Sequence, residues 1–215
     1  MDSNSKHFTI YMVDVEKILF SVDGRDRVVT TLCDRLTSLK SSDLHELPQT
    51  TGSGVYCLYY FGDHGLYNGF TMDVPIYVGK ATHLYNRLKD HRQSVEDASD
   101  LYVGDFKYKL LEIVSEWIDG CEKLLIEHFC PLWNKVVKGF GCHAAGKGRG
   151  NQMRSLWDTL HDGRSWALDL DPQFPKSYVR DLVLDWCRQE GFVPYDTRTF
   201  CVGDYFWDNE KYGTA

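Results

Sequence analysis

The chain lacks several features that would define its class at once. No apolar run approaches the roughly 20 residues that cross a bilayer. The start, MDSNSKHFTIYMVDVEKILF, has no basic region followed by an uninterrupted apolar block. None of the seven cysteines forms a CxxC pair, and the chain shows no internal repeat or low-complexity tract. We therefore expect a cytoplasmic protein with reduced thiols and no membrane association.

Two common ligand-binding signatures are missing as well. The segment GKGRGN contains no GK[ST] sequence, so it does not predict a Walker phosphate loop. A zinc site would have to combine Cys121, His128, Cys130, Cys142 and His143, which lack the close pairs of most zinc sites. The spacing disfavours zinc but leaves it open.

Acidic residues are absent from residues 131–154, which we call the basic arm. The formal net charge of the chain is −7, which by itself disfavours a nucleic-acid partner. The basic arm nevertheless carries five positive charges, so the rest of the chain carries −12. Either a nucleic-acid contact or a solvated basic loop would explain this local excess. The five residues are Lys135, Lys138, Lys147, Arg149 and Arg154.

Hydrophobic periodicity predicts a single α+β domain in the 215 residues. Strands are predicted over 54–61, 74–79 and 105–114, and helices after residue 79 and over 116–130. Apolar residues at helical spacing within 1–53 predict an N-terminal cover, and helical patterns recur at 152–160 and 177–189. The resulting β, β, α, β, α order predicts a small mixed, mainly antiparallel sheet flanked by helices, with N- and C-terminal helical elaborations.

Two polar side chains share one face of the first core helix. Arg87 and His91 are four residues apart, which places them one turn from each other. A guanidinium fork beside an imidazole suits a phosphate group. An ordinary polar helix face is the competing interpretation.

Glu122 interrupts an apolar stripe on the second core helix. Ile118, Leu125 and Phe129 lie on that stripe, and Glu122 falls between them. A carboxylate on a buried face is costly unless it is paired or binds a cation. A single carboxylate suits Mg²⁺, and a salt bridge to Lys80, Arg87 or another basic residue is the alternative.

Three further residues are ambiguous from their types alone. Tyr56 and Tyr77 lie near strand ends, where tyrosine is usually a packing residue. Asn134 would on its own be a turn residue.

Together these pieces form an ordered series. GVY at 54–56, YVG at 77–79, then Arg87, His91, Glu122 and Asn134 resemble the motif series of the GIY-YIG nucleases. The segments PIYVGKA, NRLKDH and PLWNKVVKGFGCHAAGKGR are similar to those of small homodimeric type II restriction endonucleases built on that core. The resemblance covers roughly residues 54–167.

The resemblance implies a catalytic role for each matched position. Tyr56 and Tyr77 would present phenols to the attacking water, Arg87 would hold the scissile phosphate, and His91 would assist. Glu122 would bind one Mg²⁺ ion per active site, and Asn134 would orient its neighbours. Lys80, judged from its position after Gly79, is either a solvent residue at a helix start or a cation that lowers the pKa of a nearby phenol. We therefore expect Tyr77, Lys80, Arg87 and His91 to face one phosphate.

The resemblance also implies a partner and an organisation. Residues 54–135 would form the catalytic core, 1–53 the cover, and 136–215 a DNA-binding loop with a helical elaboration. The function implied is Mg²⁺-dependent cleavage of double-stranded DNA by a homodimer at a palindrome, giving 5′-phosphate ends, with CCGCGG as a candidate site. A repair or homing nuclease, or a non-catalytic DNA-binding protein, is the alternative. The expected DNA-contacting residues are Lys138, His143, Lys147, Arg149 and Arg154.

Overall fold

The described part of the chain folds into a four-stranded sheet with helices on both faces. The computed structural model describes residues 22–62, 66–67, 70, 74–142 and 152–191. In chain order the elements are α1 Val22–Ser38, β1 Ser42–Asp43, β2 Gly54–Tyr60, β3 Tyr77–Ala81, α2 Leu84–Asp97, β4 Phe106–Glu112, α3 Ile118–Phe129, α4 Leu132–Lys135, α5 Leu156–Leu160, α6 Ser165–Leu168 and α7 Lys176–Gln189.

The predicted α+β class and the order of core elements are confirmed. Strand β3 begins at residue 77 rather than 74, and the short strand β1 was not predicted. The strand order is β1-β4-β2-β3, and each pairing among these four strands is antiparallel, so the sheet is not mixed. Strand β2 is buried at every residue because it is flanked by two strands and covered on both faces.

Alternation along β2 divides the core into two clusters. Tyr56, Leu58 and Tyr60 point to what we call the tyrosine face, where they join a cluster with residues of α2, α4, α5 and α7. Val55 and Cys57 point to the opposite face, which we call the α3 face, and pack with residues of α1 and α3. The N-terminal helix α1 is therefore part of a packed core layer.

Helix α2 lies on the tyrosine face through one buried stripe. Its buried residues are Leu84, Leu88, His91 and Val95, which follow the three- and four-residue spacing of one helix face. His91 is thus a polar member of an otherwise apolar stripe, and it is only 1% exposed. A buried imidazole in such a position requires a hydrogen-bond partner.

The described residues bear on the expectations about cysteines, metal-ligand groups and membrane-spanning helices. The six described cysteines are all free thiols. Within the described ranges, no group of three or more His, Cys, Asp or Glu side chains could hold a metal ion, and His143 lies outside those ranges. None of the helices described is long and apolar enough to cross a membrane.

Two leucines three residues apart test whether α1 belongs to the core. Leu36 is 1% exposed and Leu39 is 37% exposed. We expect Leu36→Ala to lower the free energy of unfolding by about 2–5 kcal/mol, because it leaves a cavity against the α3 face. Leu39→Ala should change it by less than about 0.5 kcal/mol. Urea denaturation measures both, and equal effects would contradict the assignment of α1 to the core.

Candidate active site

The pairing of β2 with β3 brings two phenols and an imidazole together. Tyr56 pairs with Gly79, and Leu58 pairs with Tyr77, so both tyrosine side chains lie on the tyrosine face. The Tyr56 hydroxyl and Nε2 of His91 share a buried hydrogen bond of 2.6 Å. The Tyr77 ring lies 5.3 Å from the His91 ring and 6.3 Å from the Tyr56 ring, centroid to centroid.

Gly79 makes this cluster possible because the Tyr56 phenol passes directly over its Cα. A Cβ atom at position 79 would lie closer than 3.0 Å to the Tyr56 hydroxyl and 2.9 Å from Cε1 of Tyr77. Any side chain there would have to displace a buried ring. The glycine that ends the YVG segment is therefore required by the close approach of a side chain to the backbone.

Arg87 completes the cluster from one turn before His91. Its Nη2 donates to the Gly141 carbonyl at 2.8 Å, and the guanidinium lies close enough to both phenols to lower their pKa. Phe140 stacks on the His91 ring at 4.4 Å with an interplanar angle of 13°. Phe140 and Gly141 were not predicted, since a glycine-flanked phenylalanine gives no local signal of such a contact.

Burial controls the protonation of the phenols. It raises the pKa of Tyr56 well above its ordinary value, and the charge of Tyr77 adds to the rise while Arg87 opposes it. Burial likewise raises the pKa of Tyr77, again against the lowering effect of Arg87. The charge of Glu122 raises the pKa of both phenols. Both tyrosines are consequently protonated at neutral pH, so acting as a base requires more positive charge nearby.

Lys80 and Glu122 lie on the other side of strand β3. Lys80 pairs with Val55 in the sheet and so points to the α3 face. Its Nζ lies 2.8 Å from Oδ1 of Asp119 and 2.8 Å from Oε2 of Glu122. Hydrogen bonds to Asp119 and Glu122 raise the pKa of Lys80. Of the two open interpretations of Glu122, the salt bridge to Lys80 is thus present, and Asp119 is an additional carboxylate that the sequence did not single out.

The expected cluster of four side chains is therefore divided between two faces. Tyr77, Arg87 and His91 are together on the tyrosine face, whereas Lys80 is with Glu122 on the α3 face. The two groups lie on either side of β3, which is one of the two edge strands of the described sheet. A phosphate at this edge could approach both groups, because only one strand separates them.

The donor set at the edge fits a magnesium ion. Glu122 presents a carboxylate whose side chain is 20% exposed, and a cationic ammonium already lies against it. Mg²⁺ typically takes one or two carboxylates and fills its other positions with water and phosphate oxygens. Glu122 would hold the ion, with Asp119 one helical turn away.

Asn134 binds the free edge of strand β3 through its amide. Its Oδ1 accepts a hydrogen bond from the Val78 N–H at 2.8 Å, and its Nδ2 donates to the Val78 carbonyl at 2.8 Å. The backbone N–H of the preceding residue, Trp133, donates to the Ile76 carbonyl at 3.0 Å. Asn134 thus takes the place of a neighbouring strand and fixes β3 between the two residue groups.

The predicted DNA contacts lie partly outside the described residues. His143, Lys147 and Arg149 are among those not described. Lys138 is exposed. The Arg154 guanidinium donates to the carbonyls of Ala167, Leu168 and Leu170 at 2.8–3.0 Å. Arg154 is therefore engaged within the protein, and its contact with DNA stays a prediction.

Comparison with known families relates this geometry to an enzyme class. A family model described as the Eco29kI GIY-YIG domain matches residues 81–183. The matched residues form a GIY-YIG nuclease domain. No curated protein matches the chain. The matched range contains Arg87, His91, Glu122 and Asn134, while Tyr56, Tyr77 and Lys80 precede it. The family model does not extend to the two tyrosines, which lie at the site because of the register between β2 and β3.

Replacing Gly79 tests the close approach on which the cluster depends. We expect Gly79→Ala to displace Tyr56 and lower the rate of DNA cleavage by about 100-fold, the effect of misplacing a catalytic group by ~1 Å. Cleavage of plasmid DNA measures the rate, and circular dichroism verifies the fold.

Gly120→Ala is the matched control. A Cβ there meets nothing within 4 Å, and alanine favours the α3 helix by about 0.5–1 kcal/mol. This variant should cleave at the wild-type rate. A Gly79→Ala protein as active as the Gly120→Ala protein would contradict the role given to Gly79.

Proposed function

We propose that this nuclease is a Mg²⁺-dependent type II restriction endonuclease that cuts double-stranded DNA at a short palindrome. The observation that carries the proposal is the hydrogen-bonded Tyr56–His91 pair beside Arg87, with the Glu122 carboxylate around the edge of the same strand. The matched Eco29kI domain, which represents a restriction endonuclease family, supports the restriction role. The proposal includes a cytoplasmic location.

Arg87 would hold the scissile phosphate. Its guanidinium is half-buried and permanently charged, and a planar fork of donors matches the oxygens of a phosphate. Transition-state charge on those oxygens strengthens such hydrogen bonds as it develops. The Gly141 carbonyl would orient the guanidinium by accepting a hydrogen bond from its Nη2.

Tyr56, Tyr77 and His91 would handle the proton of the attacking water. The 2.6 Å hydrogen bond allows a proton to move between the Tyr56 hydroxyl and His91 Nε2. Neutralising the charge of Glu122 would lower both phenol pKa values, since that carboxylate raises them. In-line attack and departure of the 3′-oxygen would leave 5′-phosphate ends.

The cation at Glu122 would act at the same edge of the sheet. When bound, Mg²⁺ would supply positive charge that stabilises the negative charge developing on the phosphate. Lys80 stays tethered by Asp119, so it could give up Glu122 without leaving the α3 face.

A homodimer would account for cutting both strands. One GIY-YIG core most simply provides one active site, and two-fold symmetry relates two cores to the two halves of a palindrome. The similarity of the segments around residues 75–81 and 131–149 to those of homodimeric enzymes supports this arrangement. CCGCGG is the sequence to examine first.

Digestion of a plasmid followed by mapping of the cut ends tests the proposal. We expect discrete fragments with 5′-phosphate ends at one palindrome, only in the presence of Mg²⁺. Glu122→Gln should still bind the DNA but cleave it at least about 100-fold more slowly, because a neutral amide holds Mg²⁺ weakly.

Glu127→Gln provides the control on the same helix. Glu127 pairs with Arg25 of α1 and not with Lys80, so its loss should leave cleavage unchanged. Cleavage confined to damaged or branched DNA would favour a repair enzyme, and binding without any cleavage would favour a non-catalytic protein. Wild-type rates for Glu122→Gln would refute the metal assignment.

The basic arm should bind DNA phosphates. Changing Lys147 and Arg149 together to glutamine should weaken DNA binding and flatten its salt dependence, by about one unit of slope for each phosphate that the variant no longer neutralises. Arg35 and Lys40, both exposed near the end of the N-terminal helix, provide a control pair with the same charge change. Equal slopes for the two double variants would place the arm away from DNA.

A further inference from the structure

Residues Gly139–Cys142 form what we call the active-site turn. Two of its residues contact the catalytic cluster directly. Phe140 stacks on His91 and meets the Tyr77 ring edge-on at 5.0 Å. The Gly141 carbonyl accepts from Arg87, and a Cβ on Gly141 would lie 2.5 Å from the Tyr77 hydroxyl. The position of this turn therefore decides where His91 and Arg87 point.

One buried arginine holds the remaining carbonyls of the turn. Nη2 of Arg164 donates to the Gly139 carbonyl at 3.0 Å. Nη1 donates to the carbonyls of Phe140 and Cys142, both at 3.1 Å. With the Arg87 contact, all four carbonyls of the turn accept a hydrogen bond from an arginine.

Arg164 is itself fixed from three sides. Its Nε donates to Oδ1 of Asp158 at 2.6 Å, and both side chains are almost fully buried. The guanidinium carbon lies 4.5 Å from the Trp157 ring centroid and 4.9 Å from the Trp166 ring centroid. A planar guanidinium with five donors can satisfy this set of partners at once, which an ammonium cannot.

The turn also packs against the start of α5, the helix that contains Asp158. Ser155, the N-cap of α5, donates to Oδ2 of Asp158 at 2.5 Å and accepts from its N–H at 3.0 Å. Gly139 has a φ of +123° and passes so close to Ser155 that a side chain at 139 would overlap it. Asp158, Ser155 and Arg164 thus form one rigid support behind the turn.

We propose that Arg164 is a positioning residue for this nuclease. Through three carbonyls it sets the active-site turn, and through Phe140 and Gly141 the turn sets His91 and Arg87. The catalytic consequence rests on the proposed function, whereas the structural coupling between Arg164 and His91 does not.

NMR of the His91 imidazole tests the coupling without reference to DNA. Ring stacking with Phe140 shifts the His91 proton resonances upfield, and the His91→Asn spectrum assigns them. We expect Arg164→Lys to move these resonances downfield, because a lysine keeps the charge beside Asp158 but loses the carbonyl fork. Phe140→Leu should move them in the same direction by removing the ring. Asp158→Asn, a milder change, should produce a smaller shift and serves if Arg164→Lys does not fold.

Single-turnover cleavage of plasmid DNA by excess enzyme tests the catalytic consequence. Arg164→Lys should lower the rate at least tenfold while DNA affinity changes less than threefold. The Arg164→Lys/Phe140→Leu double variant should be no slower than the slower single variant, since both act through the active-site turn.

Val183→Ala is the stability control. Val183 is fully buried in the same core cluster, on α7, and its truncation should leave the His91 resonances and the cleavage rate unchanged. His91 resonances unaltered in both Arg164→Lys and Asp158→Asn would overturn the proposal, whatever the rates. If wild-type protein cuts no DNA, the proposed function fails, and the resonances alone decide the role of Arg164.

Discussion

The passage of the Tyr56 phenol over Gly79 is the constraint on which the site depends. It requires that β2 and β3 pair in one register, because a shift by one residue would turn Tyr56 to the α3 face. In that register Tyr77 shares the face of Tyr56, and the buried stripe of α2 brings His91 into hydrogen-bonding distance. The pairing of β2 with β3 therefore fixes the geometry of the Tyr56, Tyr77 and His91 cluster.

Strand β3 separates the phenols on the tyrosine face from the carboxylates on the α3 face. Because only this one strand lies between them, charges on both faces affect the pKa of the phenols. Arg87 lowers the pKa of Tyr77 on one face, while Glu122 raises it from the other. The outer position of β3 leaves its edge to Asn134, which pairs with Val78 as a strand would. The edge is closed to further strands there, whereas the Lys80 side chain near it stays partly exposed to solvent.

The C-terminal elaboration supplies structural support that the core lacks. Arg164 and Asp158 lie beyond the basic arm in sequence, yet they hold the turn that touches His91 and Arg87. A buried ion pair is a weak source of stability, since desolvation offsets its attraction. The three hydrogen bonds from Arg164 to carbonyls instead specify one conformation of the turn, as buried polar networks do when every partner is satisfied.

The sequence by itself determined the features that depend on local spacing. Arg87 and His91 share a helix face because they are four residues apart, and the order of strands and helices follows from apolar periodicity. Tertiary structure alone decided that Lys80 lies across the sheet from Tyr77, that Phe140 stacks on His91, and that the Arg154 guanidinium contacts backbone carbonyls. These contacts depend on strand register and on packing between segments far apart in sequence, which no local pattern encodes.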